Sequence, residues 1–368
     1  MGTFRFILAL AASSVGFILI LPVLLAMIPL AVLSRFAVVI ARCLEPGIAR
    51  WGELIEFEPE IGWKPAANLS TFHLAEDVYQ VSTDRQGWRG KTDLEQSDVV
   101  VFGDSFAWGF GIDDKRYFGN LLPDVRIKAI GTNGYNMVQE LLWMRRLALK
   151  LKDKLVVWFI YFGNDLYENL TPDMCGYRMP FVRPLDGTRE WQIVTDHVNA
   201  TRWPSTPDVD TAMRNYYGKL ADLCSRSFLS ARAYPACAFL LRQGAELCRE
   251  VGAELVVLTI PDVTQLTPAG RQLLLRQGGD PKSFDAELPD REIGRICSEL
   301  GVRHVALKDH LKPEDYKVGD CHWNAKGHRK VAELLRELHR RHGDAAGNIG
   351  SKTLVAPGDR VTVQPNAL

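Results

Sequence analysis

The sequence lacks an excess of charge of either sign. Its 368 residues include 44 lysines and arginines and 44 aspartates and glutamates, so the formal net charge is zero. Proteins that bind nucleic acid usually carry a basic patch or stripe, and this balance therefore argues against nucleic acid as a partner. Hydrophobic residues make up 47% of the chain and charged residues 24%, which is enough apolar material for an ordinary globular core.

Charge is missing altogether from residues 6–34. As a helix this segment would be about 44 Å long, compared with about 30 Å for the hydrocarbon core of a bilayer. It is also longer than the apolar part of a typical signal peptide. We therefore interpret residues 1–45 as an uncleaved single-pass anchor and expect the rest of the chain outside the cytoplasm. A cleaved signal peptide, or a hairpin of two short spans bent at Pro22 and Pro29, is the alternative.

Paired cysteine motifs are also missing. Seven cysteines are present, but none forms a CxxC pair or a zinc-type spacing. In an oxidising compartment Cys224, Cys237 or Cys248 could pair with one another or with Cys175. The alternative is that they are small, buried apolar side chains.

From residue 98 onward the chain alternates between two patterns. Short, nearly continuous apolar runs cover residues 99–102, 127–130, 155–161, 255–260 and 302–307. Segments with apolar residues at helical spacing cover residues 137–151, 236–252, 293–300 and 325–339. This alternation predicts a parallel sheet covered on both faces. The expected fold class is α/β: a three-layer α/β/α sandwich with a mostly parallel, flavodoxin-like sheet, preceded by an N-terminal transmembrane helix.

The same patterns suggest a domain organisation. Residues 46–96 are an extended lead-in with short β elements, and residues 97–342 form the main domain. Residues 166–232 break the alternation and are too long for a simple connection, so we expect an insertion over the mouth of the sheet. Residues 343–368 form a tail, in which turn residues at 356–359 fit a hairpin.

Polar residues follow four of the predicted elements at the edge where parallel sheets bind ligands. They lie in the segments Gly103-Asp104-Ser105, "GTNGYN" (131–136), "FGNDLYEN" (162–169) and "GDCHWNAKGH" (319–328). Because the carboxyl ends of parallel strands share one edge, we expect these segments to meet.

Together they contain the groups that acyl transfer needs. Ser105 is the candidate nucleophile, His322 the base that activates it, and Asp320 the acid that orients the imidazole. The backbone amides of Ser105 and Gly134 and the side-chain amide of Asn164 are candidate oxyanion-hole donors. Each also has an ordinary structural interpretation: Ser105 as a helix N-cap, and Asn164 and Gly134 as turn residues.

These residues resemble the motifs of the SGNH (GDSL-type) esterase and acyltransferase superfamily. "GDSF" (103–106), the surroundings of Gly134, "GND" (163–165) and "DCHWNAKGH" (320–328) resemble its four blocks in order, and the resemblance spans residues 97–340. The segments "EIGWKPAAN" and "STDRQGWRG" are similar to the lead-in of membrane-anchored bacterial members. The resemblance implies an anchor in the bacterial inner membrane and a periplasmic catalytic domain.

One block departs from the common pattern. Many members place the acid and histidine as Asp-x-x-His, whereas Gly319 stands three residues before His322 here and the nearest acid is Asp320. The Asp-x-His-Trp form resembles polysaccharide O-acetyltransferases of the superfamily.

The resulting hypothesis is a serine esterase that removes small acyl groups, such as acetyl, from a carbohydrate or similar ester, without a metal or other cofactor. The first alternative is an O-acetyltransferase that modifies a cell-wall or extracellular polysaccharide, with a membrane acyltransferase as partner. A catalytically silent carbohydrate-binding or assembly module and a metal-dependent phosphoesterase are alternatives from other classes.

Overall fold

The computed structural model of the protein describes residues 48–49, 51–74, 78–188, 190–201 and 209–352. The expected anchor at residues 1–45 and the hairpin near residues 356–359 lie outside these ranges. Within the described ranges, no helix is both long enough and apolar enough to cross a membrane.

Fourteen strands and eight α-helices are numbered along the described chain. The strands are β1 (Ile48–Ala49), β2 (Ile55–Glu58), β3 (Gly62–Pro65), β4 (Ser70–Leu74), β5 (Val78–Ser82), β6 (Val99–Gly103), β7 (Ile127–Gly131), β8 (Leu155–Tyr161), β9 (Asp173–Met174), β10 (Tyr177–Arg178), β11 (Phe181–Pro184), β12 (Trp191–Val194), β13 (Glu254–Ile260) and β14 (Arg303–Ala306). The helices are α1 (Ser105–Trp108), α2 (Met137–Leu147), α3 (Asp165–Glu168), α4 (Val209–Leu223), α5 (Ser230–Glu250), α6 (Pro268–Gln277), α7 (Leu288–Leu300) and α8 (Ala325–Lys352).

The central sheet has five parallel strands in the order β14-β13-β8-β6-β7. All five apolar runs form these strands, so the predicted parallel sheet is confirmed. In chain order the sheet reads 2-1-3-4-5, which is the flavodoxin-like arrangement. The order reverses between β6 and β8, and ligands of such sheets bind beyond the carboxyl ends of the strands at this point.

Two hydrophobic cores cover the two faces of the sheet. Alternate residues of each strand point to opposite faces, so Val100 and Phe102 enter one core while Val99 and Val101 enter the other. Helices α2, α5 and α7 pack in the first core, and α1 and α8 in the second. The described chain therefore has the expected three layers, because strands that are apolar on both sides require a helical layer on each.

The described part of residues 46–96 packs against the sheet domain and contains antiparallel hairpins. β2 pairs with β3, and β4 pairs with β5. The Gln139 side chain donates a hydrogen bond to the Ile61 carbonyl, and the Tyr135 hydroxyl donates one to the Trp63 carbonyl. The β2–β3 hairpin is thereby tied to the segment that follows β7, next to the candidate site.

The region at residues 166–232 contains two small hairpins, β9–β10 and β11–β12, and helix α4. Helix α5 begins at Ser230, six residues before the pattern predicted, because Pro235 lies inside its first turns rather than at a boundary. Helix α8 continues to Lys352, beyond the predicted end at residue 339. The six cysteines in the described part are all free, and Cys224, Cys237, Cys248 and Cys297 are buried, as the alternative to disulfides expects.

Candidate active site

Ser105 lies at the first position of helix α1, directly after β6. The N-cap of this helix is Asp104, whose carboxylate accepts a hydrogen bond of 2.9 Å from the Phe106 amide. The capping function therefore belongs to the neighbouring aspartate, and the Ser105 hydroxyl is available for another partner. That partner is His322: the distance from Ser105 Oγ to His322 Nε2 is 2.7 Å.

The turn between β6 and α1 depends on two glycines that let the strand ends approach closely. Gly103 and Gly131 face each other in the β6–β7 register. A Cβ on Gly131 would lie 1.9 Å from the Gly103 carbonyl oxygen. A side chain there would push the strand ends apart, and with them the loop that carries Ser105.

Asp320 holds the far side of the histidine ring. Asp320 Oδ1 lies 2.7 Å from His322 Nδ1 and also accepts the backbone amide of His322 at 3.1 Å. Asp320 therefore reaches the imidazole of His322 although only one residue separates the two in the sequence. The ammonium of Lys317 lies 3.4 Å from the other carboxylate oxygen of Asp320.

Two aromatic rings pack against the imidazole of His322. The ring centroids of Phe106 and Phe110 lie 5.0 Å and 4.6 Å from its own, tilted by 35° and 37°. Trp323, the next residue, is buried and contacts Phe106. These contacts restrict the ring to an orientation in which Nε2 faces Ser105.

The charges around His322 favour its protonated form. Burial alone lowers the pKa of His322, but Cys321 and Asp320 outweigh this effect and raise the pKa well above its usual value. Because burial raises the pKa of the Cys321 thiol, the negative charge next to the ring at neutral pH is the Asp320 carboxylate. Burial raises the pKa of Asp320, but the hydrogen bond and charge of His322 and the charge of Lys317 lower it overall. The pair is thus arranged to stabilise the imidazolium that forms during proton transfer.

The structure places the candidate oxyanion donors at the same sheet edge. Gly134 follows β7 and has φ of +73°, and Met174 packs so closely that a Cβ on Gly134 would lie 2.2 Å from its Cε. Asn164 follows β8, and its side chain makes no N-cap hydrogen bond to helix α3. Its Nδ2 donates instead to Glu168 Oε2 at 3.1 Å, and its buried Oδ1 has no hydrogen-bond partner among the described residues.

Three carboxyl groups lie buried behind this edge, those of Asp104, Glu140 and Asp165, and Glu168 is half-buried beside them. Burial, followed by repulsion from Asp104, raises the pKa of Glu140 and of Asp165 well above the usual range. Asp165 accepts the Tyr161 amide at 2.7 Å, and Asp104 caps helix α1. Through these hydrogen bonds Asp104 and Asp165 orient the loops that follow β6 and β8.

Sequence reasoning missed several supporting residues. Glu168 and Lys317 contact the predicted residues Asn164 and Asp320, and Phe110 packs on His322. Arg89, in the lead-in, is 1% exposed and donates to the Trp108 and Gly109 carbonyls that end helix α1. The spacing of Glu168, four residues after Asn164, was the one available signal, because such pairs meet on a helix.

The phosphoesterase alternative requires a cluster of metal ligands. In the described residues, ligand atoms of Asp320, Cys321 and His322 lie within 4.8 Å of one another and could hold a metal ion. His322 Nδ1 and Asp320 Oδ1 are, however, already bonded to each other. A metal would have to break that bond, and activity measured with and without a chelator tests whether one is needed.

No family model matches the chain, and no curated protein matches it. Among solved structures, a member of the lipolytic protein G-D-S-L family from Veillonella parvula is similar: identity is 13%, the match covers 66% of this chain and 98% of that one, and the TM-score is 0.36. An extracellular lipase from Streptomyces rimosus matches with 14% identity, coverage of 66% and 99%, and a TM-score of 0.38. The structure named TesA matches with 14% identity, coverage of 66% and 98%, and a TM-score of 0.36. At such TM-scores the question of activity rests on the residues of the site itself.

Proposed function

We propose that the protein is a serine ester hydrolase of the SGNH type that works through an acyl-enzyme. The observation that carries the proposal is the continuous hydrogen-bonded chain from Ser105 through His322 to Asp320, with 2.7 Å at each step. A structural histidine does not require a hydroxyl on one nitrogen and a buried carboxylate on the other. This arrangement is the one that activates a serine.

In the proposed mechanism Ser105 Oγ attacks the ester carbonyl carbon while His322 Nε2 takes its proton. The negative charge passes to the carbonyl oxygen, where the amides of Ser105, Gly134 and Asn164 stabilise it. When the intermediate collapses, His322 returns the proton to the leaving alcohol. A water molecule then attacks the acyl-enzyme with the same base, releasing the acid and restoring the serine.

The proposed substrate is a small acyl ester, such as an acetyl ester, of a carbohydrate. The packing of Met174 against Gly134 supports a small acyl group, because it leaves little room next to that donor. Transfer to a sugar hydroxyl instead of water is the second candidate, supported by the Asp-x-His-Trp form of the last block. Product analysis with an acetylated polysaccharide, with and without an acceptor sugar, distinguishes hydrolysis from transfer.

The proposed location is the bacterial inner membrane, with the catalytic domain in the periplasm and a membrane acyltransferase as a candidate partner. This part of the proposal is supported by the uncharged stretch at residues 6–34.

Hydrolysis of p-nitrophenyl acetate tests the mechanism. We expect wild-type protein to be active with or without EDTA, and Ser105→Ala to be inactive. Activity that disappears with EDTA and survives Ser105→Ala would support the metal-dependent alternative. A wild-type protein with no esterase or transferase activity would support the silent binding module.

A further inference from the structure

The carboxamide of Asn164 needs a fixed orientation if it is to serve as an oxyanion donor. The backbone of helix α3 does not supply this orientation, because the Asn164 side chain makes no cap hydrogen bond to it. Its carbonyl oxygen is buried without a hydrogen-bond partner among the described residues. The hydrogen bond that does hold it runs from Nδ2 to Glu168 Oε2, over 3.1 Å.

We propose that Glu168 is a positioning residue, which holds one N–H of the Asn164 carboxamide so that the other N–H faces the reacting carbonyl. This inference rests on the proposed function, because it requires Asn164 to be an oxyanion donor. An amide carries two N–H groups. Engaging one of them with a fixed acceptor fixes the direction of the second.

Glu168 is itself held firmly enough to act as such an acceptor. Its backbone N–H donates to the Asn164 carbonyl at 2.9 Å, which closes the single turn of α3. Its own carbonyl accepts from Asn136 Nδ2 at 3.2 Å. Asn136 is fully buried and caps helix α2, two residues after Gly134. The two loops with candidate oxyanion donors are therefore joined through Glu168.

The environment of the Glu168 carboxyl supports a specific pairing with Asn164. Burial raises the pKa of Glu168 to about 7, and the hydrogen bond from Asn164 is the largest effect that opposes this rise. Lys219 of helix α4 also opposes it, and the Lys219 ammonium lies 4.3 Å from the centre of the Tyr167 ring. Replacing a carboxyl that merely filled space would change turnover little, whereas replacing a positioning carboxyl would lower it.

The test is a double-mutant cycle on full-length protein, with kcat and KM measured on p-nitrophenyl acetate. Asn164→Ala should lower kcat by about 10²–10³-fold. Glu168→Ala should lower kcat by about 10–10²-fold, as expected for a donor that is present but misplaced, and leave KM nearly unchanged. The double variant should be no slower than Asn164→Ala, because without the amide there is nothing left to position.

Two further variants separate positioning from general effects. Glu168→Gln keeps an acceptor oxygen at the same distance and should retain most of the wild-type kcat. Glu140→Gln removes a different carboxyl, which accepts a hydrogen bond from Trp158 and not from Asn164, and should leave kcat unchanged. If Glu168→Ala does not fold, as judged by its thermal melting, Glu168→Met takes its place, since it keeps the length of the side chain without an acceptor.

A Glu168→Ala variant with wild-type kcat, next to an impaired Asn164→Ala, would overturn the inference and leave the proposed function intact. Losses that multiply in the double variant would overturn it as well, as would an equal loss in Glu140→Gln. If Asn164→Ala itself keeps wild-type kcat, Asn164 is not an oxyanion donor. Glu168 then has nothing to position, and the inference is refuted as well. The serine mechanism would then be judged separately, by Ser105→Ala.

Discussion

The strongest stability prediction concerns Arg89, which joins the lead-in to the loop that carries Ser105. Its Nε lies 2.9 Å from Asp114 Oδ1. Its two terminal nitrogens donate to four backbone carbonyls, those of Gln80, Trp108, Gly109 and Ile112. The residue is 1% exposed. Every guanidinium N–H thus has an acceptor, and the carbonyls of Trp108, Gly109 and Ile112 belong to buried residues.

Arg89→Met should therefore be severely destabilising. Removing one partner of a buried ion pair costs about 3–5 kcal/mol, because the remaining charge is left uncompensated. The buried carbonyls add to this cost, at about 1–3 kcal/mol for each one left without a donor. Set against a typical total stability of about 5–15 kcal/mol, the variant should be largely unfolded or close to it. Arg89→Lys keeps the charge but has three donors for five acceptors. We therefore expect its free energy of unfolding to lie between that of Arg89→Met and that of the wild type.

Urea unfolding followed by tryptophan fluorescence measures these changes. The matched control is Arg126→Met. Arg126 also makes a two-point contact with a carboxylate, that of Asp98, but its side chain is 57% exposed. An exposed pair of this kind contributes about 0–1 kcal/mol. If Arg89→Met is no less stable than Arg126→Met, the buried network does not stabilise the fold as argued.

The remaining predictions concern the site and the anchor. Ser105→Ala and His322→Ala should each abolish most turnover, and the double variant should be hardly slower than either one; additive losses would contradict a shared step. Because the pKa of His322 is raised and the base must be neutral, kcat/KM should rise with pH through a midpoint above about 6.5. Asp320→Asn should move that midpoint to lower pH and reduce the plateau by up to about 10⁴-fold; an unchanged pH profile would place the triad acid elsewhere. The full-length chain should stay with membranes after high-salt washing, whereas a soluble chain shortened by about 30 residues would indicate a cleaved signal peptide.

The sheet could be predicted from the sequence because its strands are buried on both faces. Such strands are apolar at nearly every position, as residues 99–102 and 155–161 show, and that pattern needs no knowledge of distant partners. The start of helix α5 could not be predicted, because Pro235 is normally a boundary signal and here it lies within the helix. Packing of the apolar face of α5 against the sheet outweighs the lost hydrogen bond.

The meeting of Ser105, His322 and Asp320 could also be anticipated, because the fold class fixes where strand ends lie. The contribution of Glu168 had only its four-residue spacing from Asn164 as a signal, and that of Arg89 had none. The role of Arg89 depends on which backbone carbonyls come within reach after folding, and an arginine in the sequence has no pattern that shows them. The capping of helix α1 by Asp104 rather than Ser105 was likewise a matter of geometry, since both residue types are good N-caps.

Because the lead-in is attached to the site, the smallest fragment that keeps the site intact must include the lead-in. A piece cut at residue 97 would lose Arg89 and leave the carbonyls at the end of helix α1 without donors. It would also lose Trp63, whose indole N–H donates to the Asn133 carbonyl at 3.2 Å, next to Gly134. Anyone who grafts this site onto another scaffold, or exchanges it between relatives, should therefore carry the β2–β3 and β4–β5 hairpins with it.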